Sequence, residues 1–279
     1  MPSTLAFVRA HLRPSRAAVH VSEVQYARGS GTLPADLYLP ANARGRLPGF
    51  VLLHGLTCTA RAHRSLQTFA RAVAASGLAV LVPEIPEWRA LHVAPAVTLE
   101  TIRAAVRALH ERPEVDPERV GLLGFSFGAT QALIAAADPA IAPLLRALVA
   151  WGGYYDLMRV SMFSLTGEHE LDGVQYHIEP DPYGRWIMMG NYLTAVPGHA
   201  ADAPVAQAAH ALARAAGERG IPSWDPALDP LKLQLRAELR PAQRELFDRL
   251  APPTARPAEG TPENRALATA LGTAALEMD

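Results

Sequence analysis

Residues 120–137, VGLLGFSFGATQALIAAA, constrain the fold more than any other stretch of the chain. An apolar run ends in a turn of small residues around Ser126, and a helix-forming stretch follows at once. A strand that passes directly into a helix belongs to a parallel sheet, whose neighbouring strands are joined by crossovers that cover its faces.

The same pattern recurs on both sides of this segment. Residues 19–39, VHVSEVQYARGSGTLPADLYL, alternate apolar and polar residues around RGSGT, which predicts two antiparallel strands joined by a glycine turn. GFVLLHG (49–55) reads as a strand buried on both faces. Leu66, Phe69, Ala70 and Val73 form one stripe of a helix over 65–76 that ends at Gly77. LAVLVPEIP (78–86) is the next strand, and a helix follows with Leu99, Ile102, Val106 and Leu109 on one face and Pro113 as its stop. LRALVAWGG (145–153) predicts a sixth strand. Strands alternating with helices define an α/β class with a mostly parallel sheet and flanking helices.

After Gly153 the texture changes. Residues 154–200 are rich in aromatic residues, glycine and proline, and 203–250 read as helices broken at Pro222, Pro226, Pro230 and Pro241. Asp229 before Pro230 has the form of a cap followed by a helix start. The expectation is a helical insertion rather than more sheet. APPTARPAEGTPEN (251–264) is a linker signal, and Thr261 with Pro262 starts a last alanine-rich helix. The domains expected are a core over 1–155, a helical segment over 156–250, and a linker with terminal helix over 251–279.

A formal net charge of -1, a pI near 6.8 and scattered basic residues, with Lys232 the only lysine, argue against a nucleic-acid partner. One cysteine, Cys58, excludes an internal disulfide and reads as a small buried hydrophobe. No apolar stretch is long enough to span a bilayer, and the N-terminal apolar run is interrupted by Arg and His, so neither membrane nor signal peptide is expected and the cytoplasm is the expected address. No H-x-x-x-H or comparable cluster suggests a metal, and no cofactor is expected.

The chemistry is concentrated at two strand ends. Ser126 in GFSFG is a candidate nucleophile, its hydroxyl standing at a helix N-terminus where developing negative charge is favoured. Gly124 and Gly128 are small because strand and helix backbones must approach closely there. The bland alternative is a glycine turn in which Ser126 merely caps the helix. Phe127 N–H, just after the serine, and Leu56 N–H, just after His54 and Gly55, are the candidate oxyanion donors, one of which is typically worth about 3 kcal/mol of barrier. His54 reads as structural, shaping that loop. His210 reads as a solvated histidine on the polar flank of a helix.

LLHGLT and VDPERVGLLGFSFGATQAL resemble the alpha/beta-hydrolase superfamily, nearest to its esterase, dienelactone-hydrolase and prolyl-oligopeptidase-like branches, over roughly residues 18–156. The resemblance implies an eight-stranded sheet, a helical cap inserted after the sixth strand, Ser126 as nucleophile acting on a small acyl substrate, and an acid and a histidine following in that order. Here the chain departs from the pattern. No strand with a G-x-x-D turn follows the cap, and no histidine follows His210, so the last core strands are expected to be absent. Asp156, directly after the sixth strand, is a candidate acid or else a loop-capping residue. His169, His177 and His199 could reach Ser126 only if the cap folds over it. The readings are a serine ester or amide hydrolase weakened by the missing histidine, a hydrolase-fold binding protein without catalysis, or an acyltransferase. A sheet ending at its sixth strand also predicts self-association through an open edge.

Overall fold

The computed structural model describes residues 3–14, 17–252 and 259–278. They form two compact units, one of Met1–Ala90 with Ala94–Tyr154 and the other of Leu91–Val93 with Tyr155–Asp279.

The first unit is built on a six-stranded sheet of order β1-β2-β4-β3-β5-β6. The hairpin of β1 (Val19–Arg28) and β2 (Gly31–Pro40) pairs antiparallel and joins β4 (Ala79–Pro83) antiparallel. β3 (Leu47–Leu53), β4, β5 (Val115–Phe125) and β6 (Ala147–Trp151) run parallel. Alternation divides the strand residues between two faces. Tyr38, Leu52, Val80, Val82 and Leu123 pack with Leu66, Ala70 and Ala74 of α2 (Arg64–Ala75). On the other face Gly49 meets Leu109 of α4 (Pro95–His110), whose buried stripe also holds Ile102, Ala105 and Val106. A short α3 (Pro86–Arg89) precedes α4, and α5 (Phe127–Ala136) buries Ala129, Ala132 and Ala135. The N-terminal stretch, which sequence reading used only to exclude a signal peptide, forms α1 (Thr4–Leu12) and meets α2 edge-to-face through Phe7 and Phe69.

The eight strands implied by the resemblance are therefore six in the sheet among the described residues. β6 is exposed along its whole length, with Leu148, Val149 and Trp151 open, and Leu133 and Ile134 of α5 are exposed as well.

The second unit contains α6 (Leu157–Thr166), α7 (Pro182–Tyr192), α8 (Ala203–Arg219), α9 (Asp229–Ala237), α10 (Pro241–Leu250) and α11 (Pro262–Met278). Pro230, expected at a helix start, and Pro241, expected as a helix break, occupy the first turns of α9 and α10, where no intrahelical N–H is needed. Asp229 lies inside α9 rather than at its cap, and its carboxylate pairs with Lys232 at 2.9 Å. The purely helical expectation is corrected by an antiparallel hairpin, β7 (Glu168–Leu171) and β8 (Val174–His177). Its turn, Asp172–Gly173, has positive φ at both residues (52° and 77°), and Asp-Gly is the dipeptide such a turn favours. The linker expected over 251–264 falls partly on 253–258, outside the described residues. No helix among the described residues is long and apolar enough to cross a membrane.

Gly128 marks one of the tightest backbone approaches in the first unit: a Cβ there would lie 2.2 Å from the His54 carbonyl oxygen. Gly128→Ala is expected to cost about 1–3 kcal/mol or more by forcing backbones apart, seen as a clear fall in Tm. Gly31→Ala, whose Cβ would make only an ordinary 3.9 Å contact with the Arg28 carbonyl oxygen, should leave Tm nearly unchanged.

Candidate active site

β5 delivers the chain to Ser126 through a fully buried run from Val120 to Gly124. Ser126 then turns sharply, with φ 53° and ψ -126°, and α5 begins at Phe127. A non-glycine residue held at positive φ stores about 1–3 kcal/mol of strain and persists only where its surroundings over-determine it. Two constraints do so here. The Ser126 N–H donates to the Trp151 carbonyl at 2.9 Å, tying the turn to β6. A Cβ on Gly124 would lie 2.2 Å from the Gly128 carbonyl oxygen, so only glycine lets helix and strand cross this closely. Ser126 occupies the N-cap position of α5, yet its side chain makes no capping bond, and the residue is exposed. The serine-cap alternative raised by the sequence therefore does not describe this hydroxyl.

The second strand end lies against the first. A Cβ on Gly55 would stand 3.4 Å from the Ser126 Cβ. His54 is buried; its Nδ1–H donates to the Gly55 carbonyl at 2.6 Å, and its Nε2 has no partner among the described residues. Burial pushes its pKa down to about 4. Its ring meets Trp88 edge-to-face at 5.3 Å, and Trp88 meets Phe127 in the same way at 5.2 Å. Trp88 is fully buried and clamps the His54 loop to the start of α5. Leu56 follows inside the core, and Cys58 is buried as expected.

The loop that continues from Leu56 is anchored by Arg61. Its guanidinium meets Glu23 at 2.6 Å, Glu84 at 3.1 Å, and Asp36, linking the loop to β1, β2 and the end of β4. Glu84 is buried, and burial raises the Asp36 pKa although Arg61 opposes the rise. The Tyr26 hydroxyl donates to the Glu84 carbonyl at 2.6 Å and fixes the backbone that carries this carboxylate.

Ser126 opens into a cavity of about 470 Å³ formed entirely within the first unit. Leu56, Leu66, Phe69, Phe125 and Trp151 give it an apolar wall, and His54, Gly55 and Thr57 also line it. Two further imidazoles line it, His63 just before α2 and His11 on α1. Sequence reasoning missed both. The signal for His63 was only its place on the loop that leaves the His54 strand end. For His11 there was none, because α1 reaches the cavity through tertiary packing on α2.

The residues proposed as triad partners lie in the second unit and are engaged there. Asp156 caps α6, accepting the Arg159 N–H at 3.0 Å, which is the loop-capping alternative. His199 pairs with Asp202 at 2.8 Å. His169 stacks on Tyr176, and His177 sits across the hairpin from Glu168. His210 is not solvated as expected: it is part-buried, with Nε2 3.3 Å from the Asn191 amide nitrogen, and burial lowers its pKa to about 4. Among the described residues no group of three or more His, Cys, Asp or Glu side chains could hold a metal ion.

The buried, neutral His54 predicts a pH dependence of stability. Its folded pKa of about 4 lies below the ordinary 6.5, so the unfolded chain binds the extra proton between these values and stability falls as pH drops from 6.5 towards 4. At pH 5 this imidazole should cost on the order of 2 kcal/mol. Urea unfolding at pH 7 and pH 5 should show a smaller loss for His54→Phe than for the parent chain.

Residues 33–166 match the model of the Dienelactone hydrolase family. No curated protein matches the chain. Among solved structures, brefeldin A esterase, described as a bacterial homologue of human hormone-sensitive lipase, is 20% identical with a TM-score of 0.48; the match covers 58% of this chain and 54% of that one. A hypothetical protein from Pseudomonas aeruginosa is 28% identical with a TM-score of 0.44, over 56% of this chain and 50% of that one. Dienelactone hydrolase from Anabaena variabilis is 23% identical with a TM-score of 0.42, over 49% of this chain and 64% of that one. The chain thus spans about half the length of the first two structures. The family match over residues 33–166 and the strand-turn-helix passage through Ser126 on a mostly parallel sheet give this part of the chain an alpha/beta-hydrolase fold.

Proposed function

We propose that the chain is a serine-dependent hydrolase of carboxylic esters acting through an acyl-serine. The observation that carries this reading is Ser126: a strained, exposed serine whose hydroxyl does not cap its helix and which opens into an apolar cavity beside two imidazoles.

In this mechanism the Ser126 Oγ attacks the ester carbonyl carbon while its proton passes to an imidazole in the cavity. Of the two we assign this role to His63, which lies on the segment that runs on from Gly55 and Leu56. The Leu56 and Phe127 N–H groups hold the oxyanion, the C–O bond to the leaving alcohol breaks, and the imidazolium returns its proton to that alcohol. Water then attacks the acyl-serine by the same route and releases the acid. The apolar wall of Leu66, Phe69, Phe125 and Trp151 selects an uncharged acyl or aryl group of modest size. General-base assistance is worth about 10²–10⁴ in rate, so an imidazole without an orienting carboxylate leaves a slow enzyme.

We further propose that the exposed β6 edge pairs with a second copy of the chain, because its backbone edge and both faces are open beside apolar Leu133 and Ile134.

A fluorophosphonate probe should label the folded protein at Ser126, and p-nitrophenyl butyrate should be hydrolysed slowly. Ser126→Ala should abolish both, and His63→Gln should slow labelling by about 10²-fold or more while leaving Tm unchanged. A folded protein that resists the probe overturns the reading. In size-exclusion chromatography the parent should show a dimer that grows with concentration, and Val149→Lys should shift it towards monomer.

A further inference from the structure

The second unit holds a larger cavity, about 690 Å³, separate from the Ser126 cavity in every lining residue. Arg185 of α7 points a charge into this unit while only 4% exposed. Its Nε–H donates to the Leu250 carbonyl at 2.8 Å, an oxygen it shares with the Trp186 indole N–H at 3.1 Å. Among the described residues no carboxylate lies within ion-pair distance of its guanidinium. A buried guanidinium is stable only when its five donors find acceptors, and one shared carbonyl is a poor complement.

The other charges around the cavity have their own partners. Lys232 is buried and paired with Asp229 at 2.9 Å. Asp181 caps α7, accepting the Tyr183 N–H at 2.9 Å and the Ser223 hydroxyl. Glu179 and Asp181 pull on Arg185 from further away, and burial still lowers its pKa. The lining also carries apolar surface, from exposed Trp224 and from Pro182 and Pro226.

We propose that this cavity binds a monocarboxylate carrying a flat apolar body. The carboxylate takes the remaining N–H groups of Arg185 in the fork geometry that guanidinium and carboxylate share, and the body lies on Trp224. A monoanion is favoured over a dianionic phosphate because Glu179, Asp181 and Asp229 also line the cavity and repel each added negative charge. This site is independent of the chemistry at Ser126.

Isothermal titration of the full chain with phenylacetate, benzyl alcohol and inorganic phosphate tests it. Saturable binding of phenylacetate is expected, with benzyl alcohol and phosphate much weaker. Arg185→Gln should raise the phenylacetate Kd by at least about tenfold, the scale of a lost hydrogen bond to a charged group. Should Arg185→Gln fail to fold, the exposed Trp224→Ala, which leaves the core intact, should still weaken binding several-fold. Ser126→Ala should bind as the parent does. Absence of saturable phenylacetate binding, equal affinity for benzyl alcohol, tighter binding of phosphate, or binding indifferent to Trp224→Ala would each overturn the assignment.

Discussion

The contact between the α-carbon of Gly128 and the carbonyl of His54 holds the first unit's site together. The gap there is too small for any Cβ, and the same is true between Gly124 and the Gly128 carbonyl. These two approaches press the first turn of α5 onto the ends of β3 and β5 together. Dense packing leaves no slack to absorb the turn, so the strain falls on Ser126, whose φ is 53°. The Ser126 backbone stays hydrogen-bonded, its N–H to the Trp151 carbonyl and its carbonyl to the Ala129 N–H, and only its hydroxyl is left to the cavity. Gly55 completes the arrangement, since a side chain there would crowd the Ser126 Cβ.

Once strand ends and helix start are pressed together, their relative position is fixed by two neighbouring devices of different chemistry. One is apolar: His54, Trp88 and Phe127 stack edge-to-face in sequence, so both candidate oxyanion donors follow or belong to residues in a rigid aromatic cluster. The other is ionic: Arg61 gathers Glu23, Asp36 and Glu84 and fastens the loop beyond Leu56 to the antiparallel side of the sheet. A pre-set oxyanion site needs such rigidity, because its donors must not reorganise as charge develops.

The strands of the first unit and its helices α2, α4 and α5 were legible in the sequence because each is written in local periodicity, whereas α1 and α3 were not. The parallel strands are continuous apolar runs, α2 and α4 carry clean stripes, and the glycines of GFSFG mark the tight crossing. The second unit was less legible. Its prolines suit both the end of one helix and the start of the next, and the Asp172–Gly173 turn was hidden in a stretch whose aromatic content drew attention away from its alternation. The imidazoles near Ser126 were the hardest to find. His63 and His11 enter the cavity through the packing of α2 and α1, and no spacing in the chain records that Phe7 meets Phe69.

That difference bears on how a serine in this fold can find a base. A histidine delivered by a distant strand depends on the whole sheet for its position, whereas His63 comes from the segment that leaves the oxyanion loop and is fixed by the Arg61 cluster two residues away. On the proposed reading, Ser126, the Leu56 and Phe127 N–H groups and His63 all belong to one unit. Among the described residues no carboxylate lines this cavity to orient the ring. Such a site gains proton transfer but gives up the tautomer control that an acid behind the histidine supplies, which on this reading limits its rate more than the geometry of Ser126 does.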